Sequence, residues 1–145
     1  MSIPTIGICY WRPHFDSMAY IGCPEDADAL LRKHIDFGQL DLRECFWAVL
    51  MTNSNRVLGI SEVACGTTLG VQPNPKYIFQ LALLVNAVHI IVAHSHPSGN
   101  LGISSSDLRE TKKLAQVAKL LDMTLIDHLI ITSESFVSLS REGKL

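Results

Sequence analysis

The apolar positions of this chain fall into short runs whose spacing changes along its length. After Pro24 and the acidic start Glu25, Asp26 and Asp28, the residues Ala27, Leu30, Leu31 and Ile35 recur at helical spacing, and acids in a first turn complement the helix dipole. This predicts a first helix, with Gly38 as its terminator. The unbroken apolar run over residues 45–51 reads as a buried strand, and the polar turn over residues 52–55 joins it to a second strand over 57–64 as a hairpin. Asn74 followed by Pro75 places a cap and a favoured first helical residue ahead of Ile78, Leu81, Ala82 and Val85, which predicts a second helix to about Asn86. Residues 88–93 read as a central strand. From Ser104 a third helix is expected to turn Leu108, Ala115, Ala118 and Leu121 inward and to leave Arg109, Lys112, Lys113 and Lys119 outside. Residues 124–131 and 136–139 are two further strands around a polar turn. Residues 1–21 hold no sustained period and read as an irregular extension with one short strand around residues 6–10. Elements in this order predict one α/β domain over residues 22–145, a mixed β-sheet flanked by helices.

Composition narrows the class. A chain of 145 residues has the size of one domain. With 48% apolar and 18% charged residues it folds by burial. No apolar run approaches the roughly 20 residues of a bilayer-spanning helix, and the N-terminus lacks the basic start and apolar centre of a secretory signal, so no membrane association and a cytoplasmic location are expected. Cys9, Cys23, Cys45 and Cys65 lie far apart with no Cys or His partner at zinc-knuckle spacing, so neither a disulfide framework nor a structural zinc site is expected. A net charge of −2 exerts no overall pull on a polyphosphate. Nucleic-acid binding would need a local patch, for which the cations of the third helix are the candidates.

The chemistry concentrates in His94-Ser-His96-Pro-Ser98-Gly-Asn-Leu-Gly-Ile-Ser104-Ser-Ser-Asp107. In an extended segment, residues two apart point to the same side, so His94 and His96 can present their rings to one ion. Asp107, in the first turn of the next helix, can supply a third ligand. Three such ligands leave the fourth tetrahedral position open, as in a catalytic zinc site. The same Ser104-x-x-Asp107 is also a capping pattern, and both readings can hold together. A binuclear His-x-His-x-Asp-His site would need Asp and His at Ser98 and Gly99, a histidine-triad enzyme a third His at Ser98, and a zinc deaminase a Glu at His96 with later cysteines. All three fail.

The pattern that remains resembles the JAMM (MPN-plus) metalloprotease motif, Glu … His-Ser/Thr-His-x7-Ser-x2-Asp, with residues 97–103 as the seven-residue spacer. The text HSHPSG together with Leu125-Ile-Asp127-His128-Leu-Ile is similar to the bacterial RadC-type JAB domain. That resemblance implies a single MPN (JAB) domain with cytidine-deaminase-like layering, in a short stand-alone form without the helix-hairpin-helix region that often precedes it. It also implies Zn2+ held by His94, His96 and Asp107, an upstream glutamate as general base, and Ser104 as donor to an oxyanion. Glu44, just ahead of the first strand, is favoured as the base, with Glu62 in the second strand as the alternative. Asp127 and His128 are expected as a buried polar pair supporting the ligands. His14, His34 and His89 have no partners at ligand spacing and are assigned to the surface or to a satisfied core.

The implied activity is zinc-dependent hydrolysis of a peptide or isopeptide bond in a protein or peptide substrate whose identity the sequence does not disclose. The rivals are a DNA-repair-associated nucleic-acid-binding factor and a non-catalytic interaction module. Oligomeric state is not legible in the sequence.

Overall fold

The structure, a computed structural model, describes residues 3–4 and 7–145. Its elements are α1 (Pro24–Arg32), β1 (Cys45–Met51), β2 (Val57–Cys65), α2 (Pro75–Leu84), β3 (His89–Ser95), α3 (Ser105–Leu120), β4 (Thr124–Ile131) and β5 (Phe136–Ser138). The five strands form one mixed sheet in the order β2-β1-β3-β4-β5. Neighbours are antiparallel except β3 and β4, which run parallel. A parallel pair needs a crossover, and α3 provides it.

Both faces of the sheet are covered, which is why all seven residues of β1 are buried and read as one apolar run. On one face Trp47, Val49, Met51, Ile91 and Ala93 pack with Ala27 and Leu31 of α1. On the other, Phe46, Ala48, Leu50, Ile90 and Val92 pack with Ile78, Phe79 and Ala82 of α2 and with Leu114 and Ala118 of α3. The result is the expected α/β arrangement of one mixed sheet between helices. Among the described residues, no helix is long and apolar enough to cross a membrane.

Local expectations need four corrections. The short strand around residues 6–10 falls partly outside the described residues, and residues 7–10 are irregular. Helix α1 stops at Arg32, before Gly38, which instead sits in a 3-10 turn (Phe37–Gln39) where the Asp36 carboxylate accepts its N–H at 3.0 Å. In α3, Leu108 and Leu121 are 37% and 36% exposed, while Thr111, Leu114 and Ala118 are buried. Asp107 is turned toward His94, so positions four, seven and eleven residues later inherit its face, and Leu108 is rotated by about 100° from it.

The fourth correction is a disulfide. Cys45 and Cys65 are bonded across the β1–β2 hairpin, with Cα atoms 4.1 Å apart. Starting from the pair Met51↔Val57, an unbroken ladder would set Cys45 opposite Val63, but two register shifts bring Cys65 there instead. Bulges of this kind leave no plain mark in the sequence. Cys9 and Cys23 are free and exposed.

Candidate metal centre

The centre forms where β3 ends and α3 begins. His94 pairs in register with Phe46 of β1 on one side and Ile130 of β4 on the other, so its backbone lies in the middle of the sheet. His96 continues the pairing through its N–H, which donates to the Ile131 carbonyl at 2.9 Å. Strand alternation turns both rings toward α3 and sends the intervening Ser95 to the opposite face. The capping box of α3 is formed: Asp107 N–H donates to Ser104 Oγ at 3.1 Å, and Asp107 Oδ2 accepts the Ser104 N–H at 2.7 Å. The other carboxylate oxygen, Oδ1, lies 3.2 Å from His94 Nε2. Asp107 therefore caps its helix with one oxygen and faces the histidines with the other.

Hydrogen bonds assign the imidazole tautomers. Thr111 Oγ1 donates its single proton to the Asp107 carbonyl at 2.6 Å, so toward His128 Nδ1, 2.7 Å away, it accepts. His128 is neutral: burial above all, then the charges of His94 and His96, push its pKa down to about 3 against the opposing pull of Asp107. With its proton on Nδ1, it accepts at Nε2 the Nδ1–H of His94, 2.8 Å away. His96 is fixed independently. Gly99, at φ 75°, lets the loop double back so that the Asn100 carbonyl accepts the His96 Nδ1–H at 2.6 Å.

Both histidines thus direct Nε2 lone pairs inward, 2.9 Å apart, and Asp107 Oδ1 joins them. All three donor atoms lie within 4.8 Å of one another. Ligands around a tetrahedral zinc with bonds near 2.0–2.1 Å sit about 3.3 Å apart, so the set has the dimensions of a zinc site. Lone pairs this close require a positive charge between them, which a proton on His94 or a metal ion can supply. Burial raises the Asp107 carboxyl pKa, but a hydrogen bond from His94, formed when that ring also carries a proton on Nε2, and the hydrogen bonds at Ser104 outweigh it and hold the group well below the ordinary carboxylate range.

The other predicted residues separate clearly. Glu44 lines the same cleft, of about 380 Å3, as His94, His96, Ser104 and Asp107. Glu62 pairs in register with Trp47 and lines a separate cavity of about 80 Å3 with Cys45 and Ser95, on the opposite face of the sheet. The sheet therefore lies between Glu62 and the histidines. The side chains of Asp127 and His128 face opposite ways, as adjacent strand residues do, although Asp127 Oδ1 accepts the His128 N–H at 2.7 Å. His128 supports His94, whereas the Asp127 carboxylate accepts from Ser138 Oγ at 2.6 Å and Ser140 N at 3.0 Å and fixes the C-terminal turn. Of the two, only His128 touches a candidate ligand directly, and Asp127 reaches it through the His128 backbone. Of the remaining histidines, His14 and His34 are exposed and His89 bonds Asn55 Oδ1 at 2.7 Å.

Sequence reasoning missed Thr111 and the Asn100 carbonyl. Thr111 had a usable signal, a hydroxyl four residues after Asp107 on the inward face of a helix. The carboxylate of Glu110 also lines the cleft. Arg109, Lys112, Lys113 and Lys119 are exposed, and neither Lys nor Arg is among the described residues that line it.

The chain belongs to the family of RadC-like JAB domains, whose family model matches residues 21–144. It is similar to a UPF0758 protein of Desulforudis audaxviator, 32% identical over 133 residues, which cover 92% of this chain and 54% of that protein. A UPF0758 protein of Acidithiobacillus ferrooxidans is 39% identical over 101 residues, covering 70% of this chain and 45% of that protein. A third, from Flavobacterium johnsoniae, is 36% identical over 106 residues, or 73% and 46% of the two chains. The chain spans about half the length of the curated relatives it matches.

Proposed function

We propose that this domain is a zinc-dependent metallopeptidase or isopeptidase that uses water to hydrolyse a peptide-type bond. The observation that carries the reading is the convergence of two bare imidazole nitrogens and one carboxylate oxygen in a cleft that also holds Glu44. His94, His96 and Asp107 would hold the ion, an all-nitrogen-and-oxygen set suited to zinc with an open fourth position. Zinc supplies Lewis acidity that brings a water near ionisation at neutral pH. Glu44 accepts the proton of the attacking water and passes it to the leaving amine. Ser104 Oγ accepts the Asp107 N–H, and its own proton, which lies toward the Asp107 carboxylate, would turn to the oxyanion developing on the scissile carbonyl. His128 and the Asn100 carbonyl keep the histidine tautomers in the ligating form.

A nucleic-acid reading fits the cleft less well. Its wall carries the carboxylates of Glu44, Asp107 and Glu110 and none of the α3 cations, a field that repels a phosphodiester. An interaction module gives no reason for three converged lone pairs.

The test is a screen of the zinc-loaded protein against peptide and isopeptide substrates. Glu44→Gln is expected to retain zinc while turnover falls on the order of 10²-fold or more, and Glu62→Gln is expected to leave both unchanged. Full activity in Glu44→Gln would exclude this mechanism, and loss of activity in Glu62→Gln with zinc retained would overturn the choice of base.

A further inference from the structure

Ser95 stands between His94 and His96 in sequence but points away from them, 0% exposed. Its Oγ accepts the Cys45 N–H at 2.9 Å and donates to the Arg43 carbonyl at 3.2 Å. Those two backbone groups flank Glu44. Regular pairing of β1 with β3 stops at Phe46↔His94, so beyond that point the Ser95 hydroxyl takes the place of the ladder. On the other side, the Glu44 N–H donates to the Thr67 carbonyl at 3.1 Å and the Glu44 carbonyl accepts the Gly66 N–H at 2.7 Å. Four consecutive backbone polar groups, from Arg43 O to Cys45 N, are thereby fixed, two by β3 through a single hydroxyl and two by the end of the hairpin.

The consequence is geometric. A base works only when held at the right distance from the reacting water, and a misplacement of about 1 Å can cost on the order of 10²-fold in rate. Glu44 and the two histidines come from different strands, so something must fix one strand end against the other. Hairpin contacts cannot do this, because they tie Glu44 to residues 66 and 67 and not to β3. Ser95 can, since it is covalently flanked by both histidines and hydrogen-bonded on both sides of Glu44.

We propose that Ser95 is a positioning residue that sets Glu44 relative to His94 and His96. The inference rests on reading Glu44 as the proton acceptor. It separates the site's two supports: the metal ligands are oriented by His128 and Asn100, and the base by Ser95. Loss of the Ser95 hydroxyl therefore spares zinc binding and impairs proton transfer.

The experiment compares Ser95→Thr with Ser95→Val, side chains of nearly equal shape that differ in the hydroxyl, with Ser95→Ala as a third variant. Ser95 borders the cavity of about 80 Å3 on that face of the sheet. Zinc stoichiometry, kcat, KM and the zinc-induced change in the Glu44 side-chain carboxyl NMR resonance are measured for each folded variant. Ser95→Thr is expected to match the wild type. Ser95→Val and Ser95→Ala are expected to bind one zinc per chain with KM unchanged, kcat lowered about tenfold or more, and a smaller zinc-induced change at Glu44. Wild-type kcat and an unaltered Glu44 response in Ser95→Val would overturn the proposal, as would parallel loss of zinc and activity. Failure of both Val and Ala variants to fold would make the hydroxyl structural and also overturn it. If the wild type hydrolyses its substrate and Glu44→Gln is fully active, the reading of Glu44 fails instead.

Discussion

Replacing Thr111 with Val removes one hydroxyl while keeping the shape of the side chain, so packing beneath α3 is retained and the change acts on the relay behind His94. Two hydrogen bonds are lost, those to the Asp107 carbonyl at 2.6 Å and to His128 Nδ1 at 2.7 Å. The carbonyl keeps its partner in the helix. The His128 Nδ1–H does not, and with that ring 1% exposed an unmet donor costs about 1–3 kcal/mol. His128 can relieve the cost by moving its proton to Nε2, but that atom faces the Nδ1–H of His94 at 2.8 Å, and His94 would then have to carry its proton on Nε2, the ligating atom. Zinc affinity is therefore expected to fall about 10- to 100-fold, the usual loss when support behind a ligand is removed. Urea denaturation of the zinc-free protein reads the first quantity, and competition with a chromophoric chelator reads the second. Unchanged stability and unchanged zinc affinity would refute the relay; lowered stability with wild-type zinc affinity would refute the tautomer assignment alone.

Acidity gives a second prediction: His128 titrates near 3 in the folded protein against an ordinary value of 6.5, so between those values the unfolded chain binds more protons. The His128 contribution to the stability of the zinc-free protein is then fully present above about pH 6.5 and is lost as pH drops toward 3, and His128→Gln shows a shallower decline in urea midpoint over that window. A third concerns the Cys45–Cys65 bond, whose closed loop spans a sequence separation of 20; its reduction, or Cys65→Ser, is expected to cost about 3 kcal/mol of stability, and equal urea midpoints with and without reductant would contradict the pairing.

Much of this architecture is legible in the chain because local signals agree with it. The apolar run of β1, the Asn74-Pro75 cap and the Ser104-x-x-Asp107 box each name an element and its boundary. The candidate ligand set is legible for the same reason, since strand alternation brings residues 94 and 96 to one side and the capping box fixes Asp107 near them. What escaped depends on register and rotation. Cys45 meets Cys65 only because two register shifts accumulate along the hairpin. Glu44 is favoured over Glu62 by its place ahead of the first strand, but only the ladder assigns Glu62 to the face of Trp47. Asp127 and His128 read as a pair in the text, and the pleat separates them. Thr111 lies hidden among charged neighbours, between Glu110 and Lys112, because its role depends on the angle at which α3 meets the sheet.

Whether His94, His96 and Asp107 bind a metal ion as one site is read from the coordination shell of the zinc-loaded protein by X-ray absorption. One zinc per chain, with nitrogen and oxygen ligands near 2.0–2.1 Å, an imidazole signature and no sulfur shell near about 2.3 Å, is the expected result, with zinc lost in His96→Ala. The sulfur criterion matters because Cys45 and Cys65, once their disulfide is reduced, form with Glu62 the other cluster of potential metal ligands among the described residues. A protein that takes up no zinc, or one whose zinc carries sulfur ligands and survives the His96→Ala substitution, would rule out a metal site at His94, His96 and Asp107.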